Sequence, residues 1–196
     1  MKWHLKWGKK VKDEQEEFEN VFKRLILELR AASVHFYIWE RLHITEETVD
    51  IISEYKGFFL PTRDAHNDRF ISKVSDIMSK HPNAPSFYRV LNMIGGNPKL
   101  APDVNVGEIK GRLEKHEEVL KAIKYLRNKR VDHWDTSVEK LSRKVLYGDA
   151  KRMLEDLKEI CDEISSSHSG QMDAFRYIEQ EDIIRLLWAL KEKREL

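Results

Sequence analysis

The sequence predicts an all-α protein, a bundle of long antiparallel helices with a short-helix and loop insertion. Three observations carry this reading: apolar residues recur at three- and four-residue steps over long stretches, no stretch alternates with the period of a strand, and capping residues stand at the starts of several periodic runs. A chain of 196 residues is long enough to bury a sizeable core and falls within the size of one domain. The expected organisation is a single helical domain over 1–196, with an N-terminal arm at 1–12 and a C-terminal helical extension at 170–196.

The first helix is expected from Asp13 to about Leu42, where Phe18, Val21, Phe22, Leu25, Leu29, Ala32, Phe36 and Trp39 mark one face. Thr45 reads as the N-cap of a second helix. Gly57 and Pro61 interrupt it before RDAHNDRFISKVSDIMSK resumes helical spacing through Phe70, Val74 and Ile77. The segment HPNAPSFYRVLNMIGGNPKLAPD holds four of the five prolines and an adjacent glycine pair. It predicts a loop, one short helix around Phe87–Met93 and a second loop, and it is the region expected to be most flexible. Asn105 followed by Glu108 resembles a capping box and opens a third long helix through Ile109, Leu113, Leu120 and Ile123. Thr136 with Glu139 forms a second box, opening a helix through Val138, Leu141 and Val145 that stops at Gly148. Asp149 then caps a helix carrying Met153, Leu157, Ile160 and Ile164, and Ile183–Leu190 supplies the last.

Charge narrows the function classes. A formal net charge of +1 excludes a generally basic nucleic-acid coat, so any nucleic-acid contact must be local. The single cysteine, Cys161, cannot form an intramolecular disulfide, which makes the cytoplasm the default compartment. No apolar run reaches the length of a membrane span, and the Trp3/Trp7/Lys start lacks the apolar core of a signal peptide. No glycine-rich phosphate loop is present, and GGNP reads as a turn. The histidine and acid clusters, Asp64–His66–Asp68, His35–Glu40–His43 and His116–Glu117, do not supply the repeated Glu/His spacing of a bundle metal site, so neither metal nor cofactor is expected. Cys161 falls on the apolar stripe of its helix and reads as a buried, inert thiol.

The stretch YLRNKRVDHWDTS, 125–137, holds the candidate site. At about 100° per residue Arg127 projects from the same side as Leu113, Leu120 and Ile123. An arginine there implies a buried ion pair with an acid such as Asp68, an interface, or a cleft that receives an anion. Because Thr136 restarts a helix, the one carrying Arg127 is expected to end near Val131, leaving His133 in a turn that lets its imidazole swing back toward the guanidinium. Asp132 either raises the basicity of His133 or hydrogen-bonds the turn and leaves the histidine facing outward.

Arg127, directly followed by Asn128, and His133 after five intervening residues resemble the arginine–histidine motif of the HEPN superfamily. Within it, LRNKRVDHWD is similar to the motif of the abortive-infection U-type phage-defence proteins, and the helix order resembles theirs over roughly 14–165. The resemblance implies a metal-independent endoribonuclease or toxin-like defence protein. In it Arg127 and His133 act on the scissile phosphate, Asn128 orients the phosphate or the histidine, and the 5′ fragments end in 2′,3′-cyclic phosphate. It also implies an RNA partner, a homodimer with the two motifs facing each other, and an antitoxin or other protein partner. Lys121, Lys124, Lys129 and Arg130 would then form the local basic patch. The alternative keeps the fold and makes the chain a non-catalytic RNA-binding or protein-interaction module.

Overall fold

The computed structural model describes residues 3–43, 48–128, 147–169 and 182–194, with side chains from residue 14 onward. Among the described residues the chain forms eight α-helices and one short 3-10 turn, and no strand. The expected all-α class is therefore the observed one. No described helix is long and apolar enough to cross a membrane.

Helix α1, Trp3–Arg41, is 39 residues long, about 58 Å at the usual rise per residue. It begins at Trp3 rather than Asp13, so helical backbone extends into the segment expected to be an arm. The apolar face read from the sequence is buried from Phe18 through Phe36, with Trp39 packed at its edge. That face lies mainly against α3, Lys56–Ile77. Lys73 pairs with Glu28, the Phe70 ring packs tilted against Phe36, and His66 meets His35, so α3 descends as α1 rises and the two are antiparallel.

The break before α3 differs from expectation. Thr45 lies outside the described residues; α2, Val49–Glu54, follows Thr48, and the chain turns at Tyr55. Neither Gly57 nor Pro61 stops the helix: both lie inside α3. Pro61 sits in the second turn, where its missing N–H costs one bond, to the Gly57 carbonyl. Buried Phe59 anchors that end in a second apolar cluster with Leu42, Ile51, Ile52 and Leu187. Leu187 comes from α8, Asp182–Arg194, which closes over α2 and the end of α1.

Helix α4, Phe87–Gly96, is the expected short helix, and its buried N-cap Ser86 accepts from the Arg89 N–H. The 3-10 turn Pro98–Leu100 follows. This proline-rich segment is tied down at several points. Arg89 bonds the Asn83 carbonyl and pairs with Glu17, His168 donates to the Leu100 carbonyl at 2.6 Å, and the Asp103 N–H donates to Ser167.

The third long helix is divided. Asn105 caps α5, Val106–Glu114, by accepting from the Gly107 and Glu108 N–H groups, and α6, Glu117–Leu126, begins after a kink at Lys115–His116. The kink preserves the buried stripe, for Ile109, Leu113, Leu120 and Ile123 all face the core. Residues 129–146, with the Thr136 box and its helix, lie outside the described residues. Helix α7, Tyr147–Ser169, runs straight through Gly148, so Gly148 is not a stop and Asp149 lies in the first turn rather than capping it. Lys151 reaches Glu40 at one end of α7 and His168 stacks on Phe18 at the other, which sets α7 antiparallel to α1.

Candidate functional site

Arg127 stands at the C-cap of α6, its N–H bonded to the Ile123 and Lys124 carbonyls, and Arg127 and Asn128 continue in a wider, π-type turn. Leu120, Ile123 and Leu126 are buried beside it. Arg127 itself is not: its side chain is 36% exposed, at the rim of the stripe. Its Nη1 donates to Asp76 Oδ1 at 3.1 Å, near the end of α3. The acid is therefore Asp76 rather than Asp68, and the pair is a surface one, because the register of α3 against α6 brings Asp76 to that edge. Among the described residues Nε and Nη2 make no hydrogen bond. Asn128 is exposed. His133, Lys129 and Arg130 lie outside the described residues.

One turn before Arg127, Lys124 and Lys121 line a groove of ≈ 240 Å³ with Lys80 and Tyr88. The Lys80 ammonium sits 5.2 Å from the Tyr88 ring centre. Glu114 and Glu117 share the wall, and Lys121 is held by Glu118 at 2.9 Å and Glu117 at 3.6 Å. The hydrogen bond that Lys121 donates to Glu118 and the charges of Glu117 and Glu118 raise the Lys121 pKa. Of the two described lysines of the predicted patch, Lys124 is therefore the freer. Lys80 and Tyr88 were not legible as site residues, since Lys80 lies just before the proline-rich insertion and Tyr88 within it, and only packing brings them to α6. Three lysines and one tyrosine in such a groove are the residue types that meet phosphates and a stackable base, although Glu114 and Glu117 offset part of the charge.

Two other polar clusters have different chemistry. Arg112 bonds Asp156 through Nε at 2.8 Å and through Nη2, and also reaches Glu159 and Glu163. His116 Nε2 meets the other Asp156 oxygen at 2.9 Å. Burial pushes the Asp156 carboxyl up, but the Arg112 and His116 hydrogen bonds and charges outweigh it and hold the carboxyl below its ordinary range. This cluster ties α5 and α6 to α7. On the opposite helix pair, His35 Nδ1 and His66 Nδ1 lie 2.8 Å apart, so one ring donates and the other accepts. Burial lowers both pKa values, and His66, Arg69 and Lys73 lower that of His35 further. Among the described residues no group of three or more His, Cys, Asp or Glu side chains is arranged to hold a metal ion.

No curated protein and no solved structure matches the chain significantly. A family model described as AbiU2, of the HEPN type, matches residues 15–186, from the early part of α1 into α8. With so much of the chain inside the match, and with LRNKRVDHWD inside it too, the protein belongs to the AbiU2 family of HEPN abortive-infection proteins.

Proposed function

We propose that this protein is a metal-independent endoribonuclease of the abortive-infection type, with Arg127 and His133 as its catalytic residues. The observation that carries the reading is the state of Arg127: a half-exposed guanidinium at a helix end, with one N–H engaged by Asp76, standing one turn from a groove lined by Lys80, Lys121, Lys124 and Tyr88. A guanidinium fork held by one arm is oriented, and its remaining donors suit the oxygens of a phosphodiester.

The chemistry follows from the two side-chain types. An imidazole titrating near neutral pH takes the proton from a ribose 2′-hydroxyl, and the resulting oxyanion attacks the adjacent phosphorus. The P–O5′ bond breaks, leaving a 2′,3′-cyclic phosphate on one fragment and, once the leaving oxygen is protonated, a 5′-hydroxyl on the other. Arg127 stabilises the charge that builds on the non-bridging oxygens. Asn128 orients the phosphate, and Lys129 and Arg130 extend the basic groove. In a homodimer with the motifs facing each other, the second His133 supplies the proton to the leaving group. Sedimentation at tens of micromolar, about the range of ordinary weak dimers, should show that dimer, and a monomer would remove the second histidine from the scheme. A protein partner that covers the groove would act as an antitoxin.

The test is a digest of single-stranded RNA by purified protein in EDTA, with analysis of fragment ends. Cyclic phosphate ends that disappear with His133→Ala and Arg127→Ala support the reading. Cleavage that persists in His133→Ala, or 3′-hydroxyl ends, would overturn it and favour the non-catalytic binding module, for which the Asp76–Arg127 pair is then merely structural.

A further inference from the structure

A second polar cleft, of ≈ 150 Å³, runs between α1 and α7 and shares no residue with the Arg127 pair or its groove. Tyr37 and Arg41 come from α1, and Lys151 and Lys158 from α7. We propose that this cleft is a phosphate-binding site for a ligand that carries two linked phosphate groups, independent of the cleavage chemistry at Arg127.

Geometry comes first. Lys151 and Lys158 are two helical turns apart on one face, about 10 Å along the axis. Because α1 and α7 are antiparallel, Arg41 is at the Lys151 end and Ser33 near Lys158. The cleft thus has a cationic point at each end and fits a linked pair of phosphates better than one compact anion.

The donors in it are under-used. Tyr37 is 9% exposed, and among the described residues its hydroxyl makes no hydrogen bond; its ring lies under the Arg41 guanidinium at 5.1 Å. Neither Arg41 nor Lys158 forms an ion pair among the described residues, and Lys158 is half-buried. Burial disfavours the Lys158 ammonium, Glu155 favours it, and the Lys151 charge again disfavours it. Two carboxylates line the cleft as well: Glu40 is taken by Lys151 at 3.4 Å, and Glu155 is exposed. An entering polyanion meets an arginine, two lysines and a phenol that together offer many more N–H and O–H donors than the cleft itself accepts. Arg41 and Lys151 are exposed, and the half-buried Lys158 ammonium carries a partial desolvation cost that a phosphate relieves.

The experiment titrates the full chain calorimetrically with pyrophosphate and with inorganic phosphate. Pyrophosphate should bind about tenfold tighter than inorganic phosphate, since it spans both cationic points. Lys158→Gln and Arg41→Gln should each weaken pyrophosphate tenfold or more. Lys151→Gln, at an exposed position whose loss does not threaten folding, should weaken it severalfold. Lys23→Gln, elsewhere on α1, should change nothing. Competition then identifies the source of the phosphates. An oligouridylate that displaces pyrophosphate assigns the cleft to an RNA backbone, and a nucleoside diphosphate that does so where the oligomer fails assigns it to a free nucleotide. Absence of pyrophosphate binding at millimolar concentration, or binding of equal strength in all four variants, overturns the proposal.

Discussion

Arg112 and Arg127 sit on successive helices beside the same apolar stripe, and their hydrogen bonding differs sharply. Arg112 is 22% exposed and engages Asp156, Glu159 and Glu163, with Asp156 gripped by both Nε and Nη2. Arg127 is 36% exposed and gives one N–H to a single carboxylate that is itself 53% exposed. Four of the five Arg112 N–H donors are engaged by carboxylates, which leaves little for a ligand and ties α5 and α6 to α7. An oriented guanidinium with donors to spare is what phosphate chemistry needs. Residue type and position on a stripe therefore do not tell a fully engaged arginine from one with donors to spare, whereas hydrogen-bond occupancy does.

The largest expected effect is on cleavage. Arg127→Ala and His133→Ala should each lower the rate of RNA cleavage about 100-fold or more, the usual worth of a positioned acid–base or charge-stabilising group. Arg127→Ala should cost only about 1 kcal/mol or less of stability, because a half-exposed single pair contributes little. Arg127→Lys should recover little activity, since a point charge does not reproduce the fork. A rate loss accompanied by an equally large fall in thermal midpoint would reduce Arg127 to a structural residue.

Arg112→Ala should show the reverse pattern. Losing bonds to three carboxylates and leaving Asp156 with His116 alone should cost on the order of 2–3 kcal/mol, between the values for exposed and buried pairs. At about 2–4 °C per kcal/mol for a protein of this size, the thermal midpoint should fall by roughly 5–10 °C. Cleavage per folded molecule should stay unchanged. A cleavage defect in Arg112→Ala well below its melting range would erase the contrast between the two arginines.

A smaller effect depends on pH and comes from the α1–α3 side. His35 and His66 share one Nδ1–Nδ1 hydrogen bond, which is lost if both rings carry protons there, and both pKa values are lowered from 6.5, first by burial. The unfolded state therefore takes up protons before the folded one does. The stabilisation is complete above about pH 6.5 and is lost as pH falls from there toward the lower folded-state values. Chemical denaturation midpoints at pH 7.5 and 5.5 should show the wild type losing more stability than His66→Gln. Identical losses in the two proteins would mean that the pair does not govern this window.

What could be read from the chain alone was whatever is decided locally. The α1 face was legible because Phe18 through Phe36 keep one phase against a single long partner, and the Asn105 cap because it depends only on the next three residues. The kink at Lys115–His116 was not, and His116 there meets Asp156, a residue on another helix that no local rule takes into account. Pro61 was misread as a break since the local rule ignores how near it lies to the start of α3. Asp76 replaced Asp68 as the partner of Arg127 because interhelical register decides which acid reaches α6. The same applies to Lys80 and Tyr88, whose place in the groove is made by tertiary packing. Arg127, Asn128 and His133 all rest on the motif as site residues, and His133 lies outside the described residues.

The smallest expected effect concerns Cys161, which tests whether the contrast between occupied and available groups extends to the core. Its side chain is fully buried on α7 between the turns of Leu157 and Ile164. Burial pushes its thiol pKa up, and the Asp162 charge adds to that, so almost no thiolate exists at neutral pH. In Cys161→Ser the hydroxyl can donate to the Leu157 carbonyl one turn back, which limits the cost of burying it to about 1 kcal/mol. RNA cleavage per folded molecule should stay within about twofold of wild type, as no step proposed at Arg127 and His133 needs a nucleophilic side chain. Iodoacetamide should label the native thiol far more slowly than the unfolded one. Rapid labelling of the native protein, or a cleavage rate that collapses in Cys161→Ser while the fold survives, would show that the buried thiol is reached and used.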